Sequence, residues 1–381
     1  MKIFKNPLLV GGLIAAALYV CGNSFTTRAQ NPTEPQDRQR PRRAESTPSP
    51  TPRPNREDDA TLSSDEVVRV ETNLTNVFFT AADKQKRFVS NLKREDVRIL
   101  EDGVPQEVFT FQANVDLPLS LAILIDTSGS EERTLPEEKA AARSFLESVI
   151  RANKDEAAVV SFTGEVTLEQ GLTGNVARLR RAIDNIEFVA PSGYIGGGVV
   201  VGGTPPISGT QQTLAGGTAI WDAIWATSNE LLGATAEHTR RAIILLTDGE
   251  DTVSQVHMRD AINRAVKNDA LIYAIGIGDR YNFGIDEGSL KKLTEATGGR
   301  AYFPRNERDL RDAFAQIEKD LREQYLIAYA PSNKSRDGSY RRLTIEITNP
   351  EMRKENHKLN YRPGYFAKTP DAGPPSTTKT P

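Results

Sequence analysis

Apolar residues fall along this chain in two rhythms. Over residues 66–116 they alternate with polar ones. Val68, Val70 and Thr72 share one face, Val97 and Ile99 lead to Asp102-Gly103, and Val108, Phe109, Thr110 and Phe111 follow. Period-two alternation broken by Asp-Gly predicts strands joined in a hairpin. Residues 324–366 have the same texture. Tyr325, Ile327 and Tyr329 alternate, Asp337-Gly338 predicts a turn, Leu343, Ile345 and Ile347 alternate again, and Leu359 and Tyr361 begin a last short strand.

Between these segments the rhythm changes. Residues 119–125, 157–162, 242–246 and 270–277 are near-continuous apolar runs, as expected of parallel strands buried on both faces. Helical spacing lies between them, in Phe145, Leu146, Val149 and Ile150, in Leu179, Ile183 and Ile186, and in Leu310, Phe314, Ile317 and Leu321. Asn306 stands where the last of these helices needs an N-cap, with Asp309 three residues on. Strand and helix alternate, which predicts an α/β fold, doubly wound around a mostly parallel sheet. Neither alternating flank is long enough to form a robust sandwich alone. Joined, they predict one β-sandwich with the α/β domain inserted between its halves.

The ends have another composition. Lys2 and Lys5 precede an apolar stretch over residues 8–20, too short for a comfortable membrane span and shaped like an export signal. Gly22, Ser24 and Ala29 offer small cleavage positions. Cys21, the only cysteine, excludes an intramolecular disulfide. It also raises a lipoprotein reading, although Val20 departs from the small residue expected before a lipidated cysteine. Cleavage, lipidation and an uncleaved anchor all imply an extracytoplasmic location, in the periplasm, on the cell surface or secreted. Any membrane attachment is expected through the N-terminus only. Residues 30–56 hold seven prolines and six arginines with almost no apolar residues, the composition of an extended spacer. The expected order is a signal or anchor at 1–29, a disordered linker at 30–65, half-sandwiches at 66–116 and 323–367 around the α/β domain at 117–322, and a disordered tail at 368–381. A net charge of -3 supplies no global basic field, which argues against nucleic acid as a partner.

The candidate chemistry is a set of five oxygens. Asp126, Ser128 and Ser130 lie in Leu-Ile-Asp-Thr-Ser-Gly-Ser, Thr218 in Gly-Gly-Thr-Ala-Ile-Trp-Asp, and Asp248 in Leu-Leu-Thr-Asp-Gly-Glu. Each group stands where an apolar strand ends or a helix begins. In a doubly wound sheet that rim is where ligands bind. Hydroxyls with only two carboxylates suit a hard divalent cation left short of ligands, Mg2+ or else Mn2+ or Ca2+. Thr204 also follows two glycines, but Pro205 and Pro206 come next, whereas Thr218 opens a helical stretch at 219–232. Glu131 and Glu132 adjoin the loop; they could hold a second cation, but are expected on a solvated first helical turn. Trp221 and Trp225, four residues apart, are expected in the core.

This pattern, Asp-x-Ser-x-Ser, then Thr, then Asp, resembles the metal-ion-dependent adhesion site of von Willebrand factor A (VWFA) domains. The flanks, with Glu-Asp-Gly around Asp102 and Tyr-Arg-Pro-Gly-Tyr at 361–365, resemble the acidobacterial VWFA-related domain family. The resemblance implies that Ser128, Ser130 and Thr218 approach the metal, that Asp126 and Asp248 hold it directly or through water, and that a partner's carboxylate completes the site. The chain departs from a plain A domain at residues 191–217, with nine glycines in 27 residues. This stretch reads equally as a recognition loop and as a flexible insertion.

The expected function is therefore an exported adhesion or protein-binding module of the cell envelope. Its partner would be a protein or other ligand with an acidic group. The alternatives are a metal-assisted hydrolase and a structural envelope protein that binds no metal. His238, His257 and His357 form no metal-spaced pair, and Thr127-Ser128-Gly129 lacks the surroundings of a nucleophile elbow. With no catalytic residue in evidence, an enzyme is not expected.

Overall fold

In a computed structural model of the protein, the described residues are 74–85, 87–188, 217–236, 238–278 and 284–369. Val68, Val70, Thr72, the expected export segment and linker, residues 191–216 and the tail beyond residue 369 lie outside them.

The N-terminal flank forms β1 (Thr75–Ala82), β2 (Val97–Glu101), β3 (Val104–Pro105) and β4 (Val108–Gln112). The central region forms β5 (Leu119–Asp126), β6 (Glu156–Phe162), β7 (Val166–Thr173), β8 (Arg240–Thr247), β9 (Ala270–Gly276) and β10 (Ala301–Tyr302). Its helices are α1 (Leu135–Val149), α2 (Val176–Asn185), α3 (Ile220–Ala226), α4 (Met258–Lys267), α5 (Glu287–Thr297) and α6 (Glu307–Arg322). The C-terminal flank forms β11 (Tyr325–Tyr329), β12 (Tyr340–Ile347), α7 (Pro350–Glu355), β13 (Lys358–Tyr361) and β14 (Gly364–Phe366).

The central sheet runs β10-β9-β8-β5-β6-β7. All its pairs are parallel except β6 with β7. Every residue of β5 and β8 is buried, because helices cover both faces. Leu121, Ile123 and Ile125 point toward α1, α2 and α6, where Phe145, Leu146, Ile183 and Phe314 pack. Ala122 and Leu124 point to the other face, against Ile220 and Ile224 of α3, Ala261 of α4 and Leu290 of α5. Trp221 is buried on that face with Trp225 packed beside it. Asn306 caps α6, its side chain accepting from Asp309 N at 3.0 Å.

Two four-stranded sheets flank this domain, in the orders β13-β1-β11-β4 and β14-β12-β2-β3. Each takes strands from both ends of the chain. Val77, Phe79, Ile327 and Tyr329 from one sheet meet Val97, Ile99, Leu343 and Ile345 from the other in a shared core. The α/β domain is thus inserted in a β-sandwich. The hairpin expected at Asp102-Gly103 exists, with φ of 49° and 83° at its two turn residues. Its second arm, however, is only Val104–Pro105. Pro105 has no N–H to extend the ladder, and the following strand, β4, crosses to the opposite sheet and pairs with β11.

The two sequence motifs of the flanks meet inside the sandwich. Glu101 is buried, and it accepts hydrogen bonds from Tyr329 Oη (2.6 Å), Tyr365 Oη (2.8 Å) and Arg341 Nη1 (3.1 Å). Pairing and hydrogen bonding of this kind offset the cost of burying a carboxylate.

Candidate metal centre

β5 and β8 are parallel neighbours, with Ile125 opposite Leu246. Their carboxyl ends therefore bring Asp126 and Asp248 side by side. Asp126 is wholly buried. Its Oδ1 accepts from Ser128 N (2.9 Å) and its Oδ2 from Thr247 Oγ1 (2.6 Å). Thr127 pins the loop to β6, donating from N to Phe162 O at 2.8 Å. Ser128 Oγ and Ser130 Oγ are 3.2 Å apart. Asp248 Oδ1 accepts from Glu250 N at 3.0 Å. Between them Gly249 turns the chain at φ +88°, where an added Cβ would lie 2.9 Å from Leu290. Three of the five expected residues, Asp126, Ser128 and Ser130, thus form one hydrogen-bonded chain, with Asp248 brought beside them by the strand pairing.

Thr218 reaches the same rim differently. It is buried, two residues before α3, and its hydrogen bonds run through its backbone. Thr218 N donates to Thr252 Oγ1 (2.8 Å), and Thr218 O accepts from Thr252 N (2.9 Å). Ala219 N donates to Thr163 O at 2.7 Å. The residue is strapped between the loops that follow β6 and β8.

Two acidic residues join the site. Glu131 closes a short 3-10 turn at Gly129–Glu131 and is wholly buried, which corrects its expected place on a solvated turn. One oxygen each from Asp126, Glu131 and Asp248 lie within 4.8 Å of one another. Glu138, on α1, is wholly buried as well. Burial pushes the Asp126 carboxyl up to about 7, the Asp248 charge adds to this, and the bonds from Ser128 and Thr247 oppose it. Asp248 is also raised by burial, against hydrogen bonds from Glu250 and Ser130. Burial first, then Glu138 and Asp126, hold Glu131 well above the carboxylate range. Burial raises Glu138 to about 7, and the Asp126 and Asp248 charges add to this. Among the described residues no Lys or Arg pairs with any of the four.

Two von Willebrand factor type A domain families match the chain in succession, one over residues 121–201 and one over 207–316. This is a von Willebrand factor type A domain protein. Comparison with curated proteins finds no match. Among solved structures, the von Willebrand factor type A protein from Catenulispora acidiphila is 16% identical. That match covers 74% of this chain and 76% of that one, with a TM-score of 0.43. The conserved hypothetical protein BatB from Bacteroides thetaiotaomicron is also 16% identical, over 53% of this chain and 98% of its own, with a TM-score of 0.40. Proximal thread matrix protein 1 from the mussel byssus, solved with a zinc-occupied MIDAS motif, is 15% identical over 55% of this chain and 49% of its own, with a TM-score of 0.41.

The donor set of this type A domain fits a hard divalent cation. Carboxylates and hydroxyls converge, and hard cations prefer oxygen. Glu131 Oε1 and both Glu138 oxygens are buried without hydrogen-bond partners. Buried carboxylates left unpaired are costly, and a cation or a proton removes that cost. The A domain also has supports that its five-residue pattern does not announce. Thr247 orients Asp126. Asp251 Oδ1 accepts from Ile220 N (2.8 Å) at the start of α3. Asp222 in α3 returns the contact, accepting from Gln255 N (3.0 Å) and Val256 N (2.8 Å). Glu138 had a signal in the sequence. It falls on the buried stripe Leu135, Glu138, Ala142, Phe145, Val149, where helical spacing leaves no route to solvent.

Proposed function

We propose that this type A domain protein is an exported, metal-dependent binding module, not an enzyme. Asp126, Ser128, Ser130, Thr218 and Asp248 would hold Mg2+ or a similar hard cation. That cation would supply Lewis acidity toward an acidic group of a protein or other partner. The observation that carries this reading is the buried convergence of Asp126, Glu131 and Asp248 with the Ser128–Ser130 pair, with no Lys or Arg paired to these acids among the described residues. Export rests on the charged and apolar pattern of residues 2–20 and on the proline-rich spacer that follows.

Thermal melting tests the cation. A ligand bound only by the native state adds RT ln(1 + [L]/Kd), about 2.7 kcal/mol at 100 Kd. Magnesium or manganese should raise the melting temperature of the wild type by several degrees and leave Asp126→Ala unmoved. Equal shifts in the two proteins would remove the site from this rim. Capture of an envelope partner should then depend on magnesium and be lost in chelator.

A further inference from the structure

We propose that Glu131 is an internal ligand of the same cation and occupies the coordination position a partner's acidic group would take. The inference rests on the metal-binding reading above and adds a regulation to it: an incoming carboxylate must displace one that the chain itself provides.

Three observations lead here. Glu131 is fully buried beside the paired aspartates, with one oxygen within 4.8 Å of theirs. Its two oxygens are used unequally: Oε2 accepts from Thr134 Oγ1 at 2.5 Å, while Oε1 has no hydrogen-bond partner. A buried carboxylate oxygen costs free energy when left without a donor or a cation, and a cation among the three carboxylates supplies what Oε1 lacks. Glu138 of α1 is also wholly buried, with neither oxygen hydrogen-bonded.

Counting donors gives the consequence. Two aspartates, two serines and one threonine offer five oxygens, and Glu131 brings the set to six, the number an octahedral cation accepts. The site would be complete at rest. Glu131 sits on a single 3-10 turn between the metal loop and α1, so its withdrawal requires that turn to move and no strand to break. The resting protein would bind cation tightly and acidic ligands weakly.

The test compares wild type, Glu131→Gln and Asp126→Ala, using Mn2+ calorimetry and the luminescence lifetime of bound Tb3+, which counts coordinated water. Glutamine keeps the side chain's shape and its bond to Thr134, and removes a buried charge, so the cation-free variant should melt no lower than wild type. Mn2+ affinity is expected to fall by roughly tenfold or more, the order of loss when a metal site is deprived of one of its supports. The bound Tb3+ should gain about one water, since one oxygen ligand is replaced by solvent. Acetate, used as an acidic probe, should displace that water in Glu131→Gln at lower concentration than it acts on wild type. An unchanged lifetime and affinity in Glu131→Gln, with binding still abolished in Asp126→Ala, overturns the internal ligand and leaves the metal site standing. Absence of binding by the wild type overturns both.

Discussion

At the scale of single residues, the acids of the metal rim set the response to pH. Without cation, Asp126 and Glu138 hold their protons up to about pH 7, against ordinary values of 3.8 and 4.5. Between those limits the native state binds more protons than the unfolded chain, so stability falls as pH rises through the window. Asp337, held at about 2 by Ser339 and Ser335, acts in the opposite sense, but its contribution is lost only as pH falls below its ordinary value. The cation-free protein should therefore melt at a higher temperature at pH 5 than at pH 8. Saturating Mg2+ should flatten or reverse that order, because a metal needs its carboxylates deprotonated. Identical melting at both pH values without cation would show that these acids do not govern stability. Thr247 belongs to the same scale: its hydroxyl fixes one oxygen of Asp126, as an outer partner orients a metal ligand.

At the scale of elements, α3 and the loop after β8 hold each other. The first N–H groups of a helix lack partners within it. Here Asp251 takes Ile220 N, and Ser254 Oγ takes Trp221 N at 3.0 Å. In return Asp222, in the same first turn, holds the backbone of Gln255 and Val256. Thr218 sits between these contacts, so its place on the rim is fixed by capping and not by a bond to the cation's other ligands. Asp251→Ala should cost about 1 kcal/mol, as lost caps do, and should weaken Mg2+ binding in the same protein, while Asp251→Asn should restore most of both. Urea denaturation with titration calorimetry checks this. Wild-type stability in the alanine variant would mean that the cap carries nothing. The glycine ending α5 has a comparable role at the domain joint. Gly298 has φ +87°, and a Cβ there would lie 2.5 Å from Arg362 N. Only glycine suits both the left-handed conformation and the close approach.

At the scale of the whole molecule, the inserted domain and the sandwich are tied at several points. Arg300, before β10, donates to Thr80 Oγ1 of β1 at 3.1 Å and pairs with the buried Asp320 of α6 at 3.4 Å. Asn360 donates to Gly298 O at 2.7 Å. Arg362 pairs with Asp269 and donates to Asn76 O at 2.8 Å. α6 ends at Arg322 and β11 begins at Tyr325, so the helix closing the α/β domain runs directly into the sandwich. Each half-sandwich depends on the other. β1 has β11 and β13 as neighbours and β2 has β12, while Glu101 needs Tyr329, Arg341 and Tyr365. Residues 66–116 as an isolated fragment should stay largely unfolded, because their strands would lose these neighbours and leave apolar faces uncovered. Residues 117–322 should fold alone on the two cores around the central sheet. A sharp, dispersed amide spectrum from the short fragment would show the interdependence to be wrong.

The sequence by itself determined the alternation of buried strands with helices, because runs such as 119–125 are too apolar to stand anywhere but inside a covered sheet. It also determined which strand ends carry Asp126 and Asp248, since those residues directly follow or close such runs. Strands as short as Ala301–Tyr302 gave no periodic signal, and the antiparallel edge strand Val166–Thr173 is half-exposed with little alternation. Partnership belongs to the tertiary structure. That β4 leaves its hairpin for the opposite sheet depends on distant β11. That Glu131 is buried and not solvated depends on how the turn before α1 folds over the rim. A charged residue in a helical turn is solvated by default, and only the packing of three separate loops around one point turns Glu131 inward.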